Sequence, residues 1–265
     1  MHAEPPAAAN TGTFTTTTTA NARPATAPGV GPASLLSLPP QYRALVVGAS
    51  GGIGAAFVQA LAADPRCASV TGLHRASTPA VDFADPPSVA RAAATLVPQG
   101  PFHLLVNAAG LLHGPLGPPE KKLADIDSAR LLATLSANTV GPALLLRHFS
   151  PLLARERALL VMLSAKVGSI GDNRLGGWYS YRASKAALNM LLATAAIELR
   201  RSQPNTVVVA LHPGTVSTAL SAPFGGAATG RPPGLAVAQM LATLDGLAAA
   251  DSGAFVAYDG QRLPW

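Results

Sequence analysis

The sequence is poor in the features that mark several large classes of protein. Its 265 residues hold one cysteine, Cys67, so no disulfide can form within the chain. A secreted, disulfide-framed fold therefore has no support, and a reducing, cytoplasmic setting is the expectation. Aromatic residues make up 5% and charged residues 12% of a chain that is 49% apolar. The net charge of +6 suggests anionic ligands, and the excess falls between Arg147 and Arg201, where nine Lys/Arg face Glu156, Asp172 and Glu198. These cations stand singly or in pairs with no interleaved aromatic set, so nucleic acid is not an expected partner. No run of about twenty apolar residues exists, because Leu131 to Leu146 is interrupted by Ser136, Asn138, Thr139 and Pro142, and no membrane partner is expected. The six histidines show no paired ligand spacing, and one cysteine cannot build a structural zinc site, so no metal is expected.

What is present divides the chain in two. Residues 1–40 hold nine Ala, eight Thr and seven Pro, with the run Thr15 to Thr19 and only Glu4 and Arg23 charged. So few large apolar side chains cannot offset ordering entropy, and the segment reads as a disordered extension, with organellar targeting as its functional alternative. From Tyr42, short β-branched runs alternate with Ala- and Leu-rich stretches. Strands are predicted at Ala44–Val47, Ser69–Leu73, Leu104–Asn107, Leu159–Leu163, Val207–Leu211 and Phe255–Tyr258. Helices are predicted at Ile53–Ala63, Ser88–Leu96, Leu131–Leu153 and about Tyr179–Arg201. Strands separated by single helices pair in parallel through right-handed crossovers. Residues 41–265 are therefore expected to form one α/β domain, a doubly wound parallel sheet of Rossmann type.

Two motifs carry chemistry. Gly48-Ala49-Ser50-Gly51-Gly52-Ile53-Gly54 joins the first strand to the first helix. There Gly48 permits a tight exit, Gly52 a close approach of backbone to a pyrophosphate, and Gly54 close helix–sheet packing, whereas a bare glycine loop would need none of these. Tyr181 and Lys185, four apart, fall on one helix face, where an ammonium would draw the phenol pKa down toward working pH and let the hydroxyl exchange a proton with a carbonyl or alcohol. A surface Tyr–Lys pair is the ordinary alternative.

With these in order, the chain from Arg43 to Trp265 resembles the short-chain dehydrogenase/reductase family. The resemblance rests on the glycine turn, Asn107-Ala108-Ala109-Gly110, Asn138-Thr139-Val140-Gly141, Tyr181 to Lys185, and Pro213-Gly214-Thr215-Val216-Ser217-Thr218. The run Gly176 to Asn189 and the ending Tyr258 to Trp265 resemble a branch related to the C-factor type of bacterial cell-contact signalling protein. The resemblance implies a nicotinamide-dependent oxidoreductase acting on a small carbonyl or alcohol, with Tyr181 as general acid/base and Lys185 on the nicotinamide ribose. It further implies that Asn138 fixes a helix break and places a relay water, that Asn107 buttresses the central strand, and that Thr218 bonds the carboxamide. The cofactor set is Gly48, Ser50, Gly52, Ile53, Gly54, Arg75, Asp82, Asn107, Ala108, Gly110, Pro213, Gly214, Val216 and Thr218 with the Tyr–Lys pair. Asp82 would meet the adenine edge or simply make an Asx turn. A homodimer or homotetramer, joined through the long helix and the Tyr181 helix, is also implied.

One position departs from the pattern. The family's serine stands three residues before a glycine in the loop after its fifth strand, and Gly168 has Ala165 there. Ser164 and Ser169 flank the vacancy, and Ser164 is the expected substitute. The end of the second strand, Thr71 to Arg75, has no acidic residue for a ribose 2′-hydroxyl, and Arg75 offers a cation to a 2′-phosphate, which favours NADP(H) over NAD(H). A Ser164–His212–Asp hydrolase triad lacks a Gly-x-Ser-x-Gly elbow. Ser221 to Gly234, rich in Gly and Pro with Ala222 and Phe224, reads equally as a lid over an apolar substrate or as a loose loop. The competing function is a nucleotide-binding signalling protein with little turnover.

Overall fold

The computed structural model describes residues 34–265. Six strands, β1 (Tyr42–Val47), β2 (Cys67–Leu73), β3 (Leu104–Asn107), β4 (Ala158–Leu163), β5 (Thr206–His212) and β6 (Ala254–Ala257), form one sheet in the order β2-β1-β3-β4-β5-β6. Every neighbouring pair is parallel. All six residues of β4 are buried because helices cover both faces, and the strand is apolar throughout instead of alternating.

On one face lie α2 (Pro86–Leu96), α3 (Ser128–Leu135), α4 (Gly141–Phe149) and α5 (Tyr179–Ser202). They bring Val89, Leu96, Leu145, Phe149, Leu188 and Leu192 onto Leu105, Leu160 and Val208. On the other lie α1 (Gly52–Ala62) and α7 (Pro233–Asp245), with Phe57, Leu61, Val237, Met240 and Leu241 on Leu104, Val161 and Val209. Adjacent strand residues thus serve opposite cores, as the two-residue period of a strand requires. The architecture is the doubly wound α/β sheet of a single domain. Strand order reverses between β1 and β3, and the crevice beyond their carboxyl ends is where such sheets bind ligands.

Four expectations need correction. The domain begins earlier than residue 41: Leu35 and Leu38 are buried in the α1–α7 core, Asp64 accepts hydrogen bonds from Ser34 Oγ and Leu35 N, and Ser37 N donates to Asp245. Two leucines suffice because a finished core receives them. The expected extension or targeting segment over residues 1–33 lies outside the described residues. Helix α7 was not predicted, although Pro233 at its start and the spacing of Val237, Met240, Leu241 and Leu244 carry the helical signal. The proposed lid ends where that helix starts, and its centre holds a short helix α6 (Gly226–Thr229). The expected helix over Leu131–Leu153 is broken by a wide five-residue turn, Ser136–Val140. The stretch Ser128–Leu152 is long and apolar enough by itself to cross a membrane, and here it lies on the sheet.

Candidate active site

The glycine turn is built from backbone. Gly48 adopts φ +80°, its N–H donates to Leu73 O, and a Cβ on it would lie 2.5 Å from Ala109 N. A Cβ on Gly54 would collide with the Gly48 carbonyl. The turn is therefore pressed against both Ala108-Ala109 and its own helix. Helix α1 opens with no side-chain cap at Gly51, leaving first-turn amides for an anion. In front lies a cleft of about 520 Å³ lined by Gly48, Ser50, Arg75, Asp82, Ala108 and Gly110 of the expected set, and by His74 and Phe83, which sequence reasoning did not single out. Asp82 also makes the plain Asx turn, accepting from Ala84 N at 2.9 Å. Asn107 ends β3 with Oδ1 accepting from Ala109 N.

Other expected cofactor residues stand differently. Ile53 packs against the α1–α7 core, and the Val216 side chain is buried in it. A Cβ on Gly52 would lie 2.8 Å from Thr218 Cγ2, so Thr218 sits over the glycine turn; its Oγ1 is 3.3 Å from Ser221 Oγ. Pro213 O accepts from Arg231, whose guanidinium stacks 3.3 Å over the Tyr258 ring, and Gly214 adopts φ +67°.

Behind Gly110, which lines the cleft, Asn138 and Lys185 converge: a Cβ on Gly110 would meet Asn138 Oδ1 at 3.4 Å and Lys185 Nζ at 3.6 Å. Asn138 occupies the helix break, donating to Leu111 O and Ser184 Oγ and accepting from Leu111 N. Lys185 Nζ donates to Leu163 O at 2.9 Å and stands 5.8 Å from the Tyr181 ring centre. The expected lowering of the phenol pKa is not seen here, because burial outweighs the neighbouring ammonium. Burial pushes Tyr181 up to about 12 and Lys185 down to about 8, since both charged forms lose water.

The expected serine substitution is also corrected. Ser164 is 3% exposed and its hydroxyl donates to Asn189 Oδ1 at 2.6 Å. Continuing the alternation of β4, Ser164 turns into the core and the half-buried Ala165 takes the opposite side. Ser169 is buried too, donating to Trp265 O and accepting from Asp172 N. Trp178 lies edge-on to Tyr181 at 6.1 Å, and Phe224 lies 5.1 Å from Trp178 and 5.6 Å from His113.

Residues 42–227 match the short chain dehydrogenase family. The chain belongs to that family. This short-chain dehydrogenase is 37% identical over 179 residues to C-signal of Myxococcus xanthus, covering 66% of this chain and 99% of that one. It is 35% identical over 187 residues to 1-hydroxy-2-glutathionyl-2-methyl-3-butene dehydrogenase of Rhodococcus sp. (strain AD45), covering 71% and 79%. Its fold is similar to the carbonyl reductase Sniffer of D. melanogaster, with a TM-score of 0.75, 26% identity and coverage of 85% and 100%. An NADPH-bound carbonyl reductase from chicken fatty liver gives 0.74, 26%, and 90% and 100%. The chain is accordingly an NAD(P)-dependent oxidoreductase of the carbonyl/alcohol class, and the glycine cradle with its open helix start fits a dinucleotide's phosphates.

A buried carboxylate at this short-chain dehydrogenase's site escaped sequence reasoning altogether. Glu120, 1% exposed, accepts hydrogen bonds from Ser180 N and Ser180 Oγ at the start of α5. Burial alone would raise its pKa, but those hydrogen bonds and Arg130 hold it below the usual carboxylate value. Its partner is 60 residues away, and no local pattern links the two.

Proposed function

We propose that this chain is an NADP(H)-dependent carbonyl reductase in which the Tyr181 hydroxyl donates the proton to the substrate oxygen. The observation that carries the reading is the convergence of Lys185 and Asn138 behind Gly110, which lines the cleft, with Lys185 one helical turn from Tyr181. Bound nicotinamide supplies the hydride. Lys185 would hold the nicotinamide ribose. The high pKa of Tyr181 keeps the phenol protonated at neutral pH, which suits donation to a carbonyl better than abstraction from an alcohol. Arg75, exposed at the cleft rim with no acidic residue in the Thr71 to Arg75 segment, supports the 2′-phosphate form of the cofactor. The rings of Trp178, Phe224 and His113, linked to Tyr181 through Trp178, support a substrate with an apolar body. Exposed Leu132, Met190 and Ile197 on α3 and α5 are in keeping with self-association through those helices.

The test is a fluorescence titration of the purified protein with NADPH and NADH, followed by a screen of small carbonyl compounds for cofactor oxidation. Tyr181→Phe is expected to lower kcat by about 10²- to 10⁴-fold with the NADPH Kd within about twofold, the range of a lost general acid. Binding without turnover of any carbonyl would favour the nucleotide-binding signalling reading, to which the buried Ser164 and the bare Ala165 lend weight. Absence of binding would overturn both.

A further inference from the structure

Helix α5 starts without help from its own sequence. Its N-cap residue, Trp178, lies in the left-handed region at φ 53° and offers no side-chain cap. The amides of the first turn need partners from elsewhere, and a 24-residue helix gathers positive partial charge at this end. One remote residue answers to both, in part for the amides. Trp178 N donates to Glu120 O at 2.5 Å, Ser180 N donates to Glu120 Oε2 at 3.1 Å, and Ser180 Oγ donates to Glu120 Oε1.

The next residue is Tyr181, and its other side is gripped as firmly. Ser184 Oγ donates to Tyr181 O and accepts from Asn138 Nδ2, and Thr139 Oγ1 donates to Ser184 O. The two grips share a segment of chain, since Asn138 bonds Leu111 N and O at one end of the loop 111–120 and Glu120 closes the other. Arg130 stiffens the loop between them by donating to Leu116 O and Pro118 O.

We propose that Glu120 is a positioning residue for Tyr181, fixing the first turn of α5 from outside the helix so that the phenol is registered against Lys185 and the cleft. The inference rests on the reductase reading for its effect on rate and on geometry alone for its effect on the helix. Truncating Glu120 would leave Trp178 N on the residue-120 carbonyl, the Arg182 bonds to the Gly176, Gly177 and Val167 carbonyls and the Asn138 grip, but Ser180 N and Oγ would lose their partner in a buried place.

The experiment compares Glu120→Ala, Glu120→Gln and Asp125→Asn with the full chain. Asp125 anchors the chain immediately after Glu120 through Lys121 N and Lys122 N without touching α5, and serves as the control. Glu120→Ala is expected to lower kcat about tenfold or more, with the NADPH Kd within about twofold, since small displacements of a reacting group cost up to about a hundredfold. The isosteric Gln, which can accept from Ser180 N, should recover most of that rate. Hydrogen exchange should quicken over Trp178–Lys185 in Glu120→Ala and stay unchanged over Leu192–Arg201, while Asp125→Asn leaves both segments and kcat as they were. Unchanged exchange over Trp178–Lys185, or a rate loss matched by an equal loss of NADPH binding, would overturn the proposal. A wild type that turns over no carbonyl would sink the reductase reading, and the exchange data would still decide whether Glu120 holds the helix. If Glu120→Ala fails to fold, Ser180→Ala removes one contact alone; a smaller kcat loss and faster local exchange are expected, and no change in either would overturn the proposal.

Discussion

The two ends of the site are made of different material. At the glycine turn the fit is backbone against backbone: Gly48 on Ala108-Ala109 and Gly54 on the Gly48 carbonyl, with no side chain needed to hold the shape. At the Tyr181 end the fit is made by side chains, on backbone and on one another, carried by Asn138, Ser184, Ser180 and Glu120 across sequence separations of 27 to 60 residues. Backbone packing tolerates no added atom, whereas a network of side chains degrades by steps.

The sharpest way to break that comparison is Gly48→Ala. The methyl group would meet Ala109 N at 2.5 Å and Ala108 C at 2.8 Å, and the residue would still need φ +80°. Loss of NADPH binding by about a hundredfold or more, or loss of soluble protein, is expected, read by fluorescence titration and thermal unfolding; left-handed strain alone would contribute about 1–2 kcal/mol. Gly176→Ala isolates that strain, because Gly176 has φ +62° with nothing within 4 Å, and should lower Tm by a few degrees without touching cofactor affinity. Equal effects of the two substitutions would show that conformation, and not close packing, governs the turn.

Next in size comes Ala165→Ser. With Ser164 bonded to Asn189 and Ser169 to Trp265, neither flanking hydroxyl is free for a substrate oxygen. A hydroxyl added at Ala165 should raise kcat on a small carbonyl by about 10- to 100-fold, the worth of one oriented donor, with the NADPH Kd unchanged. No gain would mean that another group already polarises the carbonyl. Smaller again, Arg75→Glu should weaken NADPH about tenfold and leave NADH nearly untouched, in titrations at low salt where an exposed charge is least screened.

What the sequence made legible follows the same division. Glycine spacing, strand alternation and the Tyr181–Lys185 interval are local, so the sheet, the glycine turn and the placing of Tyr181 and Lys185 one turn apart on a helix could be read directly. Leu35 and Leu38 were hidden because their burial depends on a core formed by α1 and α7, far along the chain. Glu120 was hidden because its partner is Ser180, and Ser164 was misassigned because its direction depends on the phase of β4 as it leaves the sheet.

The smallest expected effect tests whether the proton end is held at a cost to stability. Lys185, ordinarily near 10.5, is brought to about 8 by burial, with Leu163 O as its hydrogen-bond acceptor. Below pH 8 native and unfolded chains both carry the proton, and the native state bears the whole desolvation cost. Between about 8 and 10.5 the unfolded chain binds more protons than the native one, so this group makes stability rise with pH. Tyr181 acts in the opposite sense only above 10, where the native phenol keeps a proton that the unfolded one releases. Cys67, also raised by burial, opposes the Lys185 trend from about 9. Comparing Lys185→Met with wild type cancels those other groups. In cofactor-free protein the variant should be the more stable at pH 7.5, and its advantage should shrink steadily toward pH 10 in thermal unfolding. Parallel curves would mean that Lys185 titrates alike in both states. The side-chain end of the site would then be no more costly to build than the backbone end, and the contrast between the two would lie in packing alone.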